Sequence, residues 1–131
     1  MTHLRVSEVA ALLGVSPDTV RRAIDGGRLS ATQDGSGPMV VAGADVAALA
    51  QELSHPPEVG VLGRSSARNQ MRGIVTRVVT DTVMAQVEIQ AGPFRLVSLL
   101  SAESVHEMDL QVGSVAVASI KATHVTVGVP Q

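Results

Sequence analysis

The 131-residue chain has no cysteine, no tryptophan and no tyrosine, and its one aromatic residue is Phe94. The absence of cysteine excludes disulfides, thiolate metal sites and cysteine nucleophiles. With so little aromatic filling, a core has to be built from Val, Leu, Ile, Ala and Met. The apolar share of 45% supplies enough of these to bury. No apolar run reaches the about 18 residues of a membrane span. The N-terminus lacks a signal-peptide layout, so a soluble, cytoplasmic protein with no membrane partner is expected. His3, His55, His106 and His124 are scattered without ligand spacing, so no metal ligands are assigned. No paired carboxylates, Ser/His/Asp set or Walker loop stands in a supporting context. Catalytic residues are therefore not assigned, and an enzyme is not expected. The net charge of −2 argues against bulk electrostatic capture of nucleic acid but leaves room for a local basic patch.

The stretch Ser54-His55-Pro56-Pro57-Glu58-Val59-Gly60-Val61-Leu62-Gly63 divides the chain. Adjacent prolines resist both helix and sheet, so this reads as a partly extended linker. The expected organisation is two small domains: residues 1–54, a linker at 55–63, and residues 64–131. Before the linker the apolar spacing is helical; after it, valine-rich segments alternate apolar and polar residues as strands do. Each half is small enough that a lone core gives marginal stability and oligomerisation supplies the rest.

In the N-terminal half, Ser7 is the expected cap of a first helix bearing Val9, Ala10, Leu12 and Leu13, which Gly14 stops. Ser16 caps a second helix, with Pro17 at its first position and Val20 and Ile24 turned inward. Arg28–Thr32 and Met39–Val41 flank Asp34-Gly35-Ser36-Gly37-Pro38 as a hairpin, or wing. Asp45 then caps a third helix carrying Val46, Leu49 and Leu53. Two helices across a glycine turn, the second with surface arginines, match a DNA-reading unit.

The segment LRVSEVAALLGVSPDTVRRAIDGGRLSA resembles the opening of the MerR and excisionase type of winged helix-turn-helix, over residues 4 to about 53. The resemblance implies an α-rich DNA-binding domain. In it Ser16, Thr19, Arg21 and Arg22 face the major groove and phosphates, and Arg28 contacts the backbone at the base of the wing. The chain departs from that family in its wing, which reads Pro38-Met39-Val40-Val41 where further arginines are usual. Residues 1–54 hold four arginines against six carboxylates.

In the C-terminal half the expected strands are Met71–Val79, Thr82–Gln90, Phe94–Leu100, Ser114–Ile120 and His124–Val129, with a short helix Ala102–Met108 capped by Ser101. The expected core is Val75, Val79, Val83, Val87, Ile89, Leu96, Val115, Val117, Ile120, Val125 and Val127. This order suggests an OB-like five-stranded β-barrel with one short helix. Ser65-Ser66-Ala67-Arg68-Asn69-Gln70 and Lys121-Ala122-Thr123 concentrate hydroxyl, guanidinium, amide and ammonium donors without a carboxylate, and Lys121 is the only lysine. Such a set suits a tetrahedral dianion, whose oxygens only accept hydrogen bonds.

Together SARNQMRGIV (66–75), SAESVHEMDLQVG (101–113) and ASIKATHVTVGV (118–129) strongly resemble the molybdate-binding Mop, or TOBE, family. That resemblance implies that Ser66, Arg68 and Lys121 bind the oxyanion and that the backbones of Ala67 and Ala122 and the hydroxyl of Thr123 complete the shell. The implied ligand is molybdate or tungstate. The implied partners are DNA and further copies of the chain, in a homo-oligomer whose sites lie between subunits, the two segments coming from different chains. The leading function is then a molybdate-responsive transcription regulator. The second reading is an intracellular molybdate store whose helix-turn-helix serves assembly or protein contact.

Overall fold

The computed structural model describes residues 2–33, 35–60 and 65–131. Asp34 of the expected wing tip and residues 61–63 of the expected linker lie outside the described residues. The chain forms two compact units, Met1–His55 and Pro56–Gln131. No helix among the described residues is long and apolar enough to cross a membrane.

The N-terminal unit runs β1 (His3–Arg5), α1 (Val6–Leu13), α2 (Pro17–Asp25), β2 (Ala31–Gln33), β3 (Met39–Ala42) and α3 (Gly43–Leu53). Gly14 adopts φ 67°, a left-handed conformation that glycine takes without a Cβ penalty, and this ends α1. Val15 N–H then closes on Ala10 C=O at 3.0 Å, and the chain turns into α2. Val9, Val20, Leu29 and Val41 are fully buried and meet Ala10, Val46 and Leu49. Burying each such side chain contributes about 1.5–3 kcal/mol. Leu12 and Leu53, read as apolar positions of the first and third helices, are 68% and 40% exposed. β2 and β3 form the expected hairpin, and β1 joins them in the order β1-β3-β2, Leu4 opposite Val41. β1 is too short to announce itself in sequence; its pairing with β3 creates it.

Two caps differ from expectation. α1 is preceded by Arg5, not Ser7, and Glu8 reaches back to accept from Arg5 N–H at 3.2 Å. α3 begins at Gly43 after Ala42, while Asp45 accepts from Ser30 N–H at 2.8 Å. Its carboxylate ties the base of the wing to the helix instead of capping it.

The C-terminal unit runs β4 (Asn69–Thr80), β5 (Met84–Ala91), β6 (Phe94–Ser101), α4 (Ala102–Glu107) and β7 (Val115–Ile120), followed by a 3-10 turn at Ala122–His124. Its antiparallel strands lie in the order β6-β5-β4-β7. The described sheet has four strands: the segment expected as a fifth, His124–Val129, is partly in the turn and otherwise carries no strand pairing. β4 serves two neighbours. Its first half, Asn69–Ile74, pairs with β7, and its second half with β5. A bulge between Val75 and Arg77 shifts the alternation. Val75 and Val78 therefore face the core, and Val79 is 48% exposed. The observed core is Val75, Ala85, Val87, Ile89 and Val105, with Leu96, Leu100 and Leu110 against it. Val83, Val115, Val125 and Val127, expected inside, are exposed. Asp81 shapes the first hairpin, its Oδ1 accepting from Val83 N–H at 2.8 Å and Met84 N–H at 2.7 Å. The Met84 and Val83 N–H groups hold its carboxyl below the ordinary range.

Glu88 lies on the face of β5 away from the core, yet it is buried, because Arg95 of β6 pairs with its carboxylate. The hydrogen bond from Arg95 lowers its pKa, against the opposing effect of burial.

Candidate oxyanion site and helix-turn-helix surface

The ends of β4 and β7 decide the geometry of the C-terminal site. Asn69 stands opposite Ile120, and its Nδ2 donates to Ile120 C=O at 3.1 Å. The segment ending in Arg68 therefore lies beside the segment beginning at Lys121, at one end of the sheet and within one chain. Ser66, Arg68, Lys121, Ala122 and Thr123 are exposed there, and Ala67 is half-buried. Antiparallel pairing of β4 with β7 sets the two segments side by side within one chain.

Local bonds preform part of this end. Ser65 Oγ accepts from Ala67 N–H at 3.1 Å, so a ligand that uses that N–H has to displace the hydroxyl. The 3-10 turn is closed by His124 N–H on Lys121 C=O at 2.9 Å. Thr123 Oγ1 and His124 Nδ1 lie 3.4 Å apart. Neither segment contains a carboxylate, and no group of three or more His, Cys, Asp or Glu suited to a cation exists among the described residues. The chemistry of this end fits an anion: guanidinium, ammonium, hydroxyl and backbone donors, with no acceptor-only side chain to repel it. Sequence reasoning missed Ser65 and Asn69 as organising residues. Both stand in the donor-rich segment, but their role depends on a partner 51 positions away in the case of Asn69.

On the N-terminal unit, Ser16 caps α2 as expected, accepting from Thr19 N–H at 3.2 Å, and the two hydroxyls lie 2.9 Å apart. Ser16 and Thr19 are thus engaged with each other at the start of α2. Arg21 pairs with Asp18 at 3.0 Å. Arg22 is exposed and lines a groove with Thr19 and Arg28 between α2 and α3. Arg21 instead lines a groove with Arg5 and Met39 on the wing side. The two arginines therefore line different grooves beside α2. Arg28 is held by Glu52 of α3, a pairing that sequence order gave no reason to expect.

The signature of the TOBE domain matches residues 65–127, and that of a helix-turn-helix domain matches residues 4–54. The chain is 45% identical over 65 residues to a protein of Haemophilus influenzae described as a probable molybdenum-pterin-binding protein. The match covers 49% of this chain and 94% of that one. The chain belongs to the TOBE family. Among solved structures, the TOBE unit is similar to a molybdate-binding protein from Sporomusa ovata, with 32% identity and a TM-score of 0.48, covering 50% of this chain and 97% of that one. It is also similar to the cytoplasmic molybdate-binding protein ModG, solved with molybdate bound. There the identity is 37% and the TM-score 0.51, over 53% of this chain and 50% of ModG. The TOBE unit holds the donor-rich segments, and the helix-turn-helix unit holds the α2 arginines.

Proposed function

We propose that this protein is a molybdate-responsive DNA-binding transcriptional regulator. Residues 64–131 bind molybdate or tungstate, residues 1–54 bind DNA, and residues 55–63 join them. The observation that carries the reading is the Asn69–Ile120 pairing, which sets two carboxylate-free donor segments side by side in a chain that also has a helix-turn-helix unit. Relatives described as molybdate-binding or molybdenum-pterin-binding support the choice of anion.

In this reading Arg68 and Lys121 supply the charge-assisted bonds that offset dehydration of the dianion. Ser66 and Thr123 donate hydroxyls, and the backbones of Ala67 and Ala122 complete the shell. The two metal oxyanions share charge and shape, so both bind, whereas sulfate with its shorter bonds is held more loosely. The chain acts by binding, in the cytoplasm, and not as an enzyme. It works as a homo-oligomer.

On DNA, Ser16, Thr19, Arg21 and Arg22 face the groove and phosphates, and Arg28 reaches the backbone when it exchanges Glu52 for a phosphate. Molybdate regulates DNA affinity only to the extent that it binds two subunit arrangements unequally. A gel-shift over a random-sequence DNA pool, with and without molybdate at stated salt, tests this. The expected result is sequence-selective binding whose affinity changes with the anion. Full molybdate binding with no DNA preference overturns the regulator and leaves a store of molybdate as the function.

A further inference from the structure

The wing carries no cation. From Leu29 to Ala42 the chain has neither lysine nor arginine, and its one charged residue there is Asp34. A hairpin of that composition cannot hold a DNA phosphate by charge. The sheet of the N-terminal unit supplies a cation from a neighbouring strand. β1 pairs with wing strand β3, which sets Arg5 opposite Val40, one position from Met39. Arg5 is exposed and enters no ion pair among the described residues. With Ser7, Arg21, Ile24 and Met39 it lines a groove of about 440 Å³ between the start of α1, α2 and the wing. The charges along this groove are unequal, Arg5 and Arg21 against Asp25. Arg21 is also bonded to Asp18, but both side chains are exposed, and exposed pairs of this kind exchange partners at little cost.

We propose that this groove seats the sugar–phosphate backbone of one DNA strand, with Arg5 as the phosphate contact that the wing lacks. The proposal rests on the DNA-binding reading of the N-terminal unit and adds Arg5, Ser7 and Met39 to it. The two parts of the occupant match the two parts of the lining. The phosphate only accepts hydrogen bonds, and it meets the guanidiniums of Arg5 and Arg21 and the hydroxyl of Ser7. The carbon face of the adjacent deoxyribose packs on Ile24 and Met39, the apolar side of the same groove. Met39 is 41% exposed and so has surface to offer. A phosphate contact fixes register and orientation and carries no sequence information. Arg5 therefore orients α2 on the duplex and does not select the site.

The test is binding of the full chain to a fluorescein-labelled duplex of random sequence, followed by anisotropy over a range of salt, with and without molybdate. For Arg5→Ala, affinity at low salt is expected to fall, and the slope of log affinity against log salt to be shallower than wild type by about one. A fourfold rise in salt then weakens wild type about 3.5-fold more than the variant. Arg5→Lys keeps the charge and is expected to keep the wild-type slope. Arg77→Ala removes an exposed arginine of the other unit and is also expected to keep it. An Arg5→Ala protein with wild-type affinity and slope overturns the proposal and leaves the DNA reading standing. Equal losses in Arg5→Ala and Arg77→Ala overturn it in favour of net charge. An Arg5→Lys protein as impaired as Arg5→Ala overturns it in favour of a structural role for Arg5. Wild type that binds no DNA overturns the DNA reading and, with it, the occupant of the groove.

Discussion

Replacing Gly73 with alanine tests the crossing on which the candidate site depends. Gly73 sits in β4 opposite Ala116 of β7, next to Ile74, where β4 is paired with both β5 and β7. A Cβ placed there lies 2.5 Å from Gln90 O, 2.8 Å from Ile89 Cγ2 and 2.9 Å from Gln90 C. Two of these atoms are backbone of β5, and Ile89 is in the core, so no flexible side-chain end can yield. Overpacking of this kind costs about 1–3 kcal/mol, and a backbone obstacle places it in the upper part of that range. The smaller entropy of the unfolded alanine chain returns about 0.4–1 kcal/mol. A net loss of roughly 1–2.5 kcal/mol follows, which for a unit of this size lowers Tm by about 5–15 °C. Thermal unfolding followed by circular dichroism, at matched protein concentration, reads it. Gly128→Ala is the control, because no atom lies within 4 Å of its added Cβ; its Tm is expected to stay unchanged or rise. The first half of β4 leads directly from Ser66–Arg68, so Gly73→Ala also weakens molybdate binding. A Gly73→Ala protein as stable as wild type refutes the claim that close crossing of β4 over β5 requires a bare backbone.

Lys121→Ala and Arg68→Ala are each expected to weaken molybdate binding by about 1.5–3 kcal/mol, roughly tenfold to a hundredfold, as for a lost charge-assisted bond; unchanged calorimetric affinity shows the residue is merely solvated. Arg21→Ala with Arg22→Ala lowers DNA affinity and leaves molybdate affinity unchanged, and the slope of log affinity against log salt falls by about one per lost phosphate contact. Glu52→Gln releases Arg28 and removes a nearby negative charge, so it tightens DNA binding, with a steeper salt dependence; equal or weaker binding excludes Arg28 from the interface. The Glu88 carboxyl is held below the usual range by Arg95, so its ion pair stabilises the fold at neutral pH. That contribution is lost as pH falls from the ordinary glutamate value of about 4.3 through the lowered folded value. Urea unfolding of wild type and Glu88→Gln therefore converges towards acid pH, and a stability gap independent of pH contradicts it.

What the sequence determined by itself was local chemistry. Ser16 and Pro17 define the start of α2 and Gly14 the end of α1, because each acts on backbone groups within a few positions. The absence of carboxylates from the two donor segments was legible for the same reason: it is composition over a short stretch, and it already selects anions over cations. Tertiary structure decided what depends on distant partners. The bulge beside Thr76 moved Val79 out of the core and Val78 into it, since one extra residue reverses the face of everything beyond it. Glu52 captured Arg28 from 24 positions away, and Arg95 covered Glu88 on a face that alternation alone assigns to solvent. Only pairing of β4 with β7 brought Arg68 beside Lys121. The valines at 125, 127 and 129 have the pattern of a buried strand, but pattern specifies a face and not a neighbour, and all three are exposed.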